Sequence, residues 1–295
     1  MQPASSIRET ASRVLEQHCV QISAAGPWRW RCGLQNGSLH PMQASLGDGF
    51  LHLASWPHPW IVTAPLLERA LRANRSLRGG VRFALDASSR NLHMRADLPI
   101  FDEVQLAAAL QSAAVGFHEG LTAMDAGDAQ IEPALPASSG SSSVDFANVL
   151  SDVTWRYSQR SANEFSVELD AEAAPSATLF WHDGRAEAGV ELMRSTGVSG
   201  AHPALATFLL TANSALCFCQ AYSQPAPDQE IYRLRSCLSA SPAPEEVENA
   251  LAALSVGYRL CAREAGLLLT ETAAQAYLSA RNLNAHSSST DLKED

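Results

Sequence analysis

Cys217 and Cys219 stand one residue apart in ALCFCQAY, and nine histidines are scattered along the 295-residue chain. A thiol beside an imidazole is the raw material of a zinc site or a nucleophile–base pair. The spacing develops neither. The chain has no CxxC and no HExxH, and Gly197-Val198-Ser199-Gly200 lacks the spacing of a nucleophile elbow. ALCFCQAY reads as a strand, which puts Cys217 and Cys219 on one face as small apolar residues. Carboxylates and a histidine from distant positions could still converge. The adjacent acids Asp102-Glu103 and Glu245-Glu246 have a simpler reading, as favourable charge in the first turn of a helix. No catalytic residue, metal ligand or cofactor is assigned.

Basic chemistry here belongs to arginine. Of 21 basic residues, only Lys293 is a lysine, which excludes a Walker A loop and a Schiff-base lysine from the body of the chain. Arg69, Arg72, Arg75, Arg78 and Arg82 fall within 14 residues. Arg69, Arg72 and Arg78 are candidates to dock an acidic peptide, or the more acidic second half of the chain. Residues 26–125 carry nine arginines against eight acids, whereas residues 145–270 carry eight against 15. Trp56 and Trp60 in SWPHPW are the other candidates. They cover a sheet edge or anchor a partner, stiffened by Pro57 and Pro59.

Composition sets the outer bounds. The chain is 46% hydrophobic, 18% charged and net −10. That is enough apolar material for two cores, and the wrong sign for a general nucleic-acid binder. No apolar run approaches the ~20 residues of a membrane span. The first residues, MQPASSIRET, lack the pattern of a secretory signal, and the cysteines show no disulfide framework. The expectation is a cytoplasmic protein with neither nucleic acid nor membrane as partner.

The two halves repeat. VQLAAALQSAAVGF at 104–117 matches EEVENALAALSVGY at 245–258, with Leu106 on Val247, Leu110 on Leu251 and Phe117 on Tyr258. The second copy's apolar seam, Val247, Leu251, Leu254, Tyr258, Cys261, Ala265 and Leu268, steps by four and three along one helix face. Trp28-Arg29-Trp30 is paired with Trp155-Arg156-Tyr157, Asp48-Gly49 with Asp183-Gly184, and Ala73-Asn74 with Ala212-Asn213. Asp-Gly between apolar-alternating segments is a hairpin signal.

Each copy then has one plan. A helix comes first, from Ser6 to about Cys19 with Ser6 and Glu9 as capping box, or Val144 to Asp152 in the second copy. Three strands follow, at 28–34, 39–46 and 49–54, or at 154–160, 164–170 and 177–194. The last span has room for two strands. Next come a helix at 59–74 or 202–213, and two strands at 80–86 and 91–97, or 215–222 and 229–238. A long helix closes each copy at 101–124 or 243–266. The expected division is 1–125, a Pro- and Ser-rich linker at 126–143, 144–278, and a disordered tail at 279–295.

This order resembles the secretion-chaperone fold of the type III secretion (Tir-type) chaperones and the YbjN-like proteins, over nearly all of residues 5–270. The resemblance implies an α+β fold with an antiparallel sheet of about five strands per domain. It also implies a non-catalytic, chaperone-like or regulatory protein that binds a polypeptide. In this chain the two copies would form an intrachain pseudo-dimer, monomeric rather than an obligate homodimer. The competing expectation is an enzyme or small-ligand binder with its site in the cleft between the copies.

Overall fold

The computed structural model describes residues 4–36, 38–125, 146–169, 176–182, 185–197, 200–239 and 241–283. The expected linker, the Asp183-Gly184 turn and the tail beyond residue 283 lie outside the described residues.

The first half opens with helix α1 (Ala4–His18), so Ser6 lies inside the helix rather than capping it. Strands β1 (Val20–Gly26), β2 (Arg29–Asn36), β3 (Ser38–Gly47) and β4 (Phe50–Ser55) form an antiparallel meander. Asp48 and Gly49 both have positive φ, 52° and 81°, as the two-residue turn between β3 and β4 requires. Pro57 and Pro59 keep the next segment out of helix, so α2 (Ala64–Ala73) starts five residues later than its apolar pattern suggested. Thr63 caps it, its hydroxyl accepting from the Leu66 N–H at 3.4 Å. β5 (Arg82–Leu85), β6 (Leu92–Pro99) and α3 (Glu103–Asp125) complete the half.

The second half runs through α4 (Phe146–Ser151), β7 (Tyr157–Ser161), β8 (Glu164–Glu168), β9 (Ser176–His182) and β10 (Arg185–Ser195). It continues with α5 (Ala201–Asn213), β11 (Gln220–Ala226), β12 (Gln229–Leu238), α6 (Pro244–Leu267) and α7 (Glu271–Ala280). The fold is α+β, with two antiparallel six-stranded sheets. Their orders are β1-β2-β3-β4-β6-β5 and β7-β8-β9-β10-β12-β11, the same path through both.

Three further expectations change. Each sheet has six strands rather than about five, because β1 went unread. VQISAAG has no alternation and lies mostly exposed at the sheet edge, with two irregularities in its pairing. Consequently, Trp28-Arg29-Trp30 leads into β2, whereas Trp155-Arg156-Tyr157 leads into β7, the counterpart of β1. That sequence match slipped by one strand. Third, α7 was not expected, and it extends helix into the first residues of the supposed tail.

The long-helix seams hold. Leu106, Leu110, Ala113 and Phe117 of α3 and Val247, Leu251, Leu254 and Cys261 of α6 are buried against their sheets. The halves also pack on each other: α2 lies along α5, α5 reaches β5, and α2 reaches β11.

Candidate functional site at the junction of the two halves

Two asparagines hold the junction. Asn74 follows the last residue of α2, and Asn213 is the last residue of α5; both are 0% exposed. The Asn74 side-chain oxygen accepts from the Phe83 N–H of β5 at 2.7 Å. Its amide nitrogen donates to the Phe83 carbonyl at 3.4 Å and to the Ala221 carbonyl of β11 at 3.1 Å. Asn213 does the reciprocal. It accepts from the Ala221 N–H at 2.7 Å and donates to the Ala221 and Phe83 carbonyls at 3.1 Å each. Two side-chain amides thus satisfy the backbone groups of two strand edges that do not pair with each other.

Arginines then cross the junction to the opposite half's helix ends. Arg82 Nε donates to the Asn213 carbonyl at 3.0 Å, and Nη2 to the Leu216 carbonyl at 2.5 Å. Arg95, its cross-strand neighbour on β6, donates to the Ser214 carbonyl. From the other side, Arg235 Nη2 donates to the carbonyls of Asn74 at 2.6 Å and Leu77 at 2.9 Å, and Gln220 Nε2 to Asn74 at 3.0 Å. Cations at the last carbonyls of a helix satisfy orphan acceptors and oppose its dipole.

Each arginine group has its own counter-charge, buried in the case of Asp97 and partly buried in that of Glu187. Asp97 receives Arg82 at 2.5 Å, Arg95 at 3.2 Å, His52 Nδ1 at 2.7 Å and the Phe218 N–H at 3.3 Å. Burial alone would push the Asp97 carboxyl up, but Arg82, His52 and Arg95 together hold it far below the usual carboxylate range. Arg235 pairs with Glu187 on β10.

His52, Asp97 and Cys217 offer one ligand atom each within 4.8 Å of one another. The donor set does not suit a cation. Both Asp97 oxygens are occupied, and two guanidinium groups lie against them. Burial and the Asp97 charge push the Cys217 thiol up to about 11, so it is neither a ready ligand nor a thiolate nucleophile near neutral pH. The two cysteines do not share a strand. They precede β11, and Phe218 between them has φ 57°.

Beside this network lies a cleft of about 570 Å³, lined from both halves. Leu98, Phe101, Ala108 and Ala109 face it from one half, and Phe218 and Leu238 from the other. Arg82, Asp97, Glu187 and Arg235 also contribute to its lining, already engaged with each other. Ala108 and Ser241 are exposed, so it opens to solvent. Glu246 lines it too, accepting from the Ser239 N–H at 2.6 Å and hydroxyl at 2.7 Å; burial pushes this carboxyl up.

The five candidate residues are not brought together. Trp56 is 45% exposed, while Trp60 stacks on His58 at 4.3 Å and leans on Phe83 at 6.0 Å as part of the core's cover. Arg69 is half-buried on α2. Arg72 makes a two-pronged bond to Glu230 of the second half, at 3.0 and 3.1 Å. Arg78 pairs with Glu119 of α3 at 3.0 Å and is the one of the five that lines the cleft. Asp97, Glu187 and Arg235 were missed, because they stand alone in sequence and meet their partners only across the fold. Asn74 and Asn213 did carry a signal, as a repeated pair closing equivalent helices.

Comparison of the chain with protein-family models, with curated proteins and with solved structures finds no match.

Proposed function

We propose that the chain is a non-catalytic polypeptide-binding protein, chaperone-like or regulatory, in which two related copies form an intrachain pseudo-dimer. It binds in the cleft between them. The cleft carries this reading: its walls come from both copies and are mainly apolar, and the Arg82–Asp97 and Arg235–Glu187 charges beside them are neutralised within the chain. Its volume falls in the range of ligand sites, ~300–1,000 Å³. An open apolar trough suits a short extended segment, with its backbone toward the solvent side. Charges locked in place by burial and by one another favour structure over proton transfer. The protein works in the cytoplasm, a placement supported by six free cysteines.

The test is copurification from the source cells at low salt, read by mass spectrometry. A stoichiometric polypeptide, lost with Ala108→Trp, is expected. Ala108 is exposed on α3, so the indole fills the cleft without entering a core. A bound small molecule with no polypeptide would overturn the proposal and favour a ligand-binding or enzymatic cleft.

A further inference from the structure

The two halves differ at one loop beside the cleft. Phe83 lies nine positions after Asn74, but Ala221 lies eight after Asn213, although both loops begin and end on the same reciprocal hydrogen bonds. The longer loop is Arg78-Gly79-Gly80-Val81. The Val81 N–H donates to the Arg78 carbonyl at 3.1 Å, and Gly79 and Gly80 have φ 62° and 66°. This is a type I′ turn, which leaves the N–H groups of both central residues outside its own hydrogen bond. Neither finds an acceptor among the described residues.

The two glycines are needed for different reasons. A Cβ on Gly79 would lie 2.3 Å from the backbone nitrogen of Ala113, so this residue is wedged against α3. A Cβ on Gly80 would meet nothing within 4 Å. Gly80 therefore serves conformation alone, and the space beside it is empty. Arg78, Gly79 and Gly80 all line the cleft. The Arg78 guanidinium comes within 3.0 Å of Glu119 through Nε, and its terminal nitrogens make no hydrogen bond among the described residues. Two backbone donors and an arginine beside an apolar trough form a receptor for a carboxylate with an apolar neighbour.

We infer that the cleft receives the free C-terminus of a partner polypeptide. The terminal carboxylate meets the Gly79 and Gly80 N–H groups and Arg78, and an apolar last side chain lies among Phe101, Ala109 and Leu238. Capture of a terminal carboxylate by consecutive backbone donors is a recurrent mode of peptide recognition. This inference rests on the polypeptide-binding reading and specifies which part of the polypeptide is bound.

The experiment uses the full chain and fluorescein-labelled hexapeptides ending in Leu, Phe or Val, each with a free carboxylate or a C-terminal amide, followed by fluorescence anisotropy. Free-acid peptides are expected to bind at least tenfold more tightly than amides. Arg78→Gln should remove most of that difference by weakening free-acid binding, and so should deletion of Gly80. Thermal melts check that both variants remain folded. Equal binding of acid and amide, with Ala108→Trp abolishing both, would overturn the C-terminal inference and keep the polypeptide reading. Decanoate competing more strongly than the free-acid peptides would overturn the inference in favour of a small apolar carboxylate. No binding of any peptide would overturn both.

Discussion

Asp97 concentrates more of the junction's electrostatics than any other side chain described. It is buried with Arg82 and takes four donors from both halves of the chain. Removing one partner of a buried pair leaves the other charged and unpaired, at a cost of about 3–5 kcal/mol. Asp97→Asn should destabilise by that order in urea unfolding at pH 7. The pH dependence has a definite sign. The folded-state pKa of Asp97 is depressed, so its stabilisation is present above the unfolded carboxylate range, near pH ~4. It is lost as pH falls toward the folded value. The gap between wild type and Asp97→Asn should therefore be flat above about pH 5 and shrink below it. Glu246 runs the other way. Its burial-raised pKa means that its contribution is fully present at low pH and fades as pH rises through the folded value. Glu246→Gln should gain on wild type as pH rises over the range from about 4.5 upward. A constant difference across that range would contradict the assignment.

At the scale of elements, the two asparagines and the two glycines give separable predictions. Asn74→Ala and Asn213→Ala each strip donors and an acceptor from buried strand edges, at about 1–3 kcal/mol per unsatisfied group. The two amides share the Phe83 and Ala221 carbonyls, which keep one donor in either single variant and lose both in the double, so the double variant should exceed the sum in a double-mutant cycle. Strict additivity would mean that the shared carbonyls do not couple them. Gly79→Ala should be far more damaging than Gly80→Ala. The first drives a methyl into the backbone of α3, and the second costs only the left-handed backbone of a non-glycine residue, about 1–2 kcal/mol.

Elements were legible in sequence where one physical pattern dominated. The α3 and α6 seams repeat at helical spacing, and both are buried as that spacing requires. Asp48-Gly49 marked its turn unaided. β1 was hidden because an exposed edge strand need not alternate. The cysteine segment misled because ALCFCQAY has the composition of a strand. Phe218 nevertheless adopts a left-handed backbone at the position where the first half uses a glycine turn. Of the junction, sequence supplied the repeated Ala-Asn and the arginine-rich stretch. It withheld the pairings, since Arg82 with Asn213 and Arg235 with Asn74 are contacts of topology.

Considered whole, the molecule is cross-braced. The helix ends of each half are satisfied by side chains from the other, and Arg72 adds a two-pronged bond to Glu230. A division at residues 126–143 therefore does not predict two independent folding units. Calorimetry should show a single unfolding transition in the full chain. Two resolved transitions would mean that the junction adds little to either half.

That bracing also imposes a timetable on synthesis. When Asp125 leaves the ribosome, the carbonyls of Asn74 and Leu77 have no Arg235 to meet, and Arg82 has no Leu216 carbonyl. Roughly 110 more residues must be made before Arg235 exists, which takes about 5–20 s at ordinary translation rates. Throughout that interval the nascent first half carries an incomplete seam. The opening half of the chain therefore finishes folding only after most of the second has been translated.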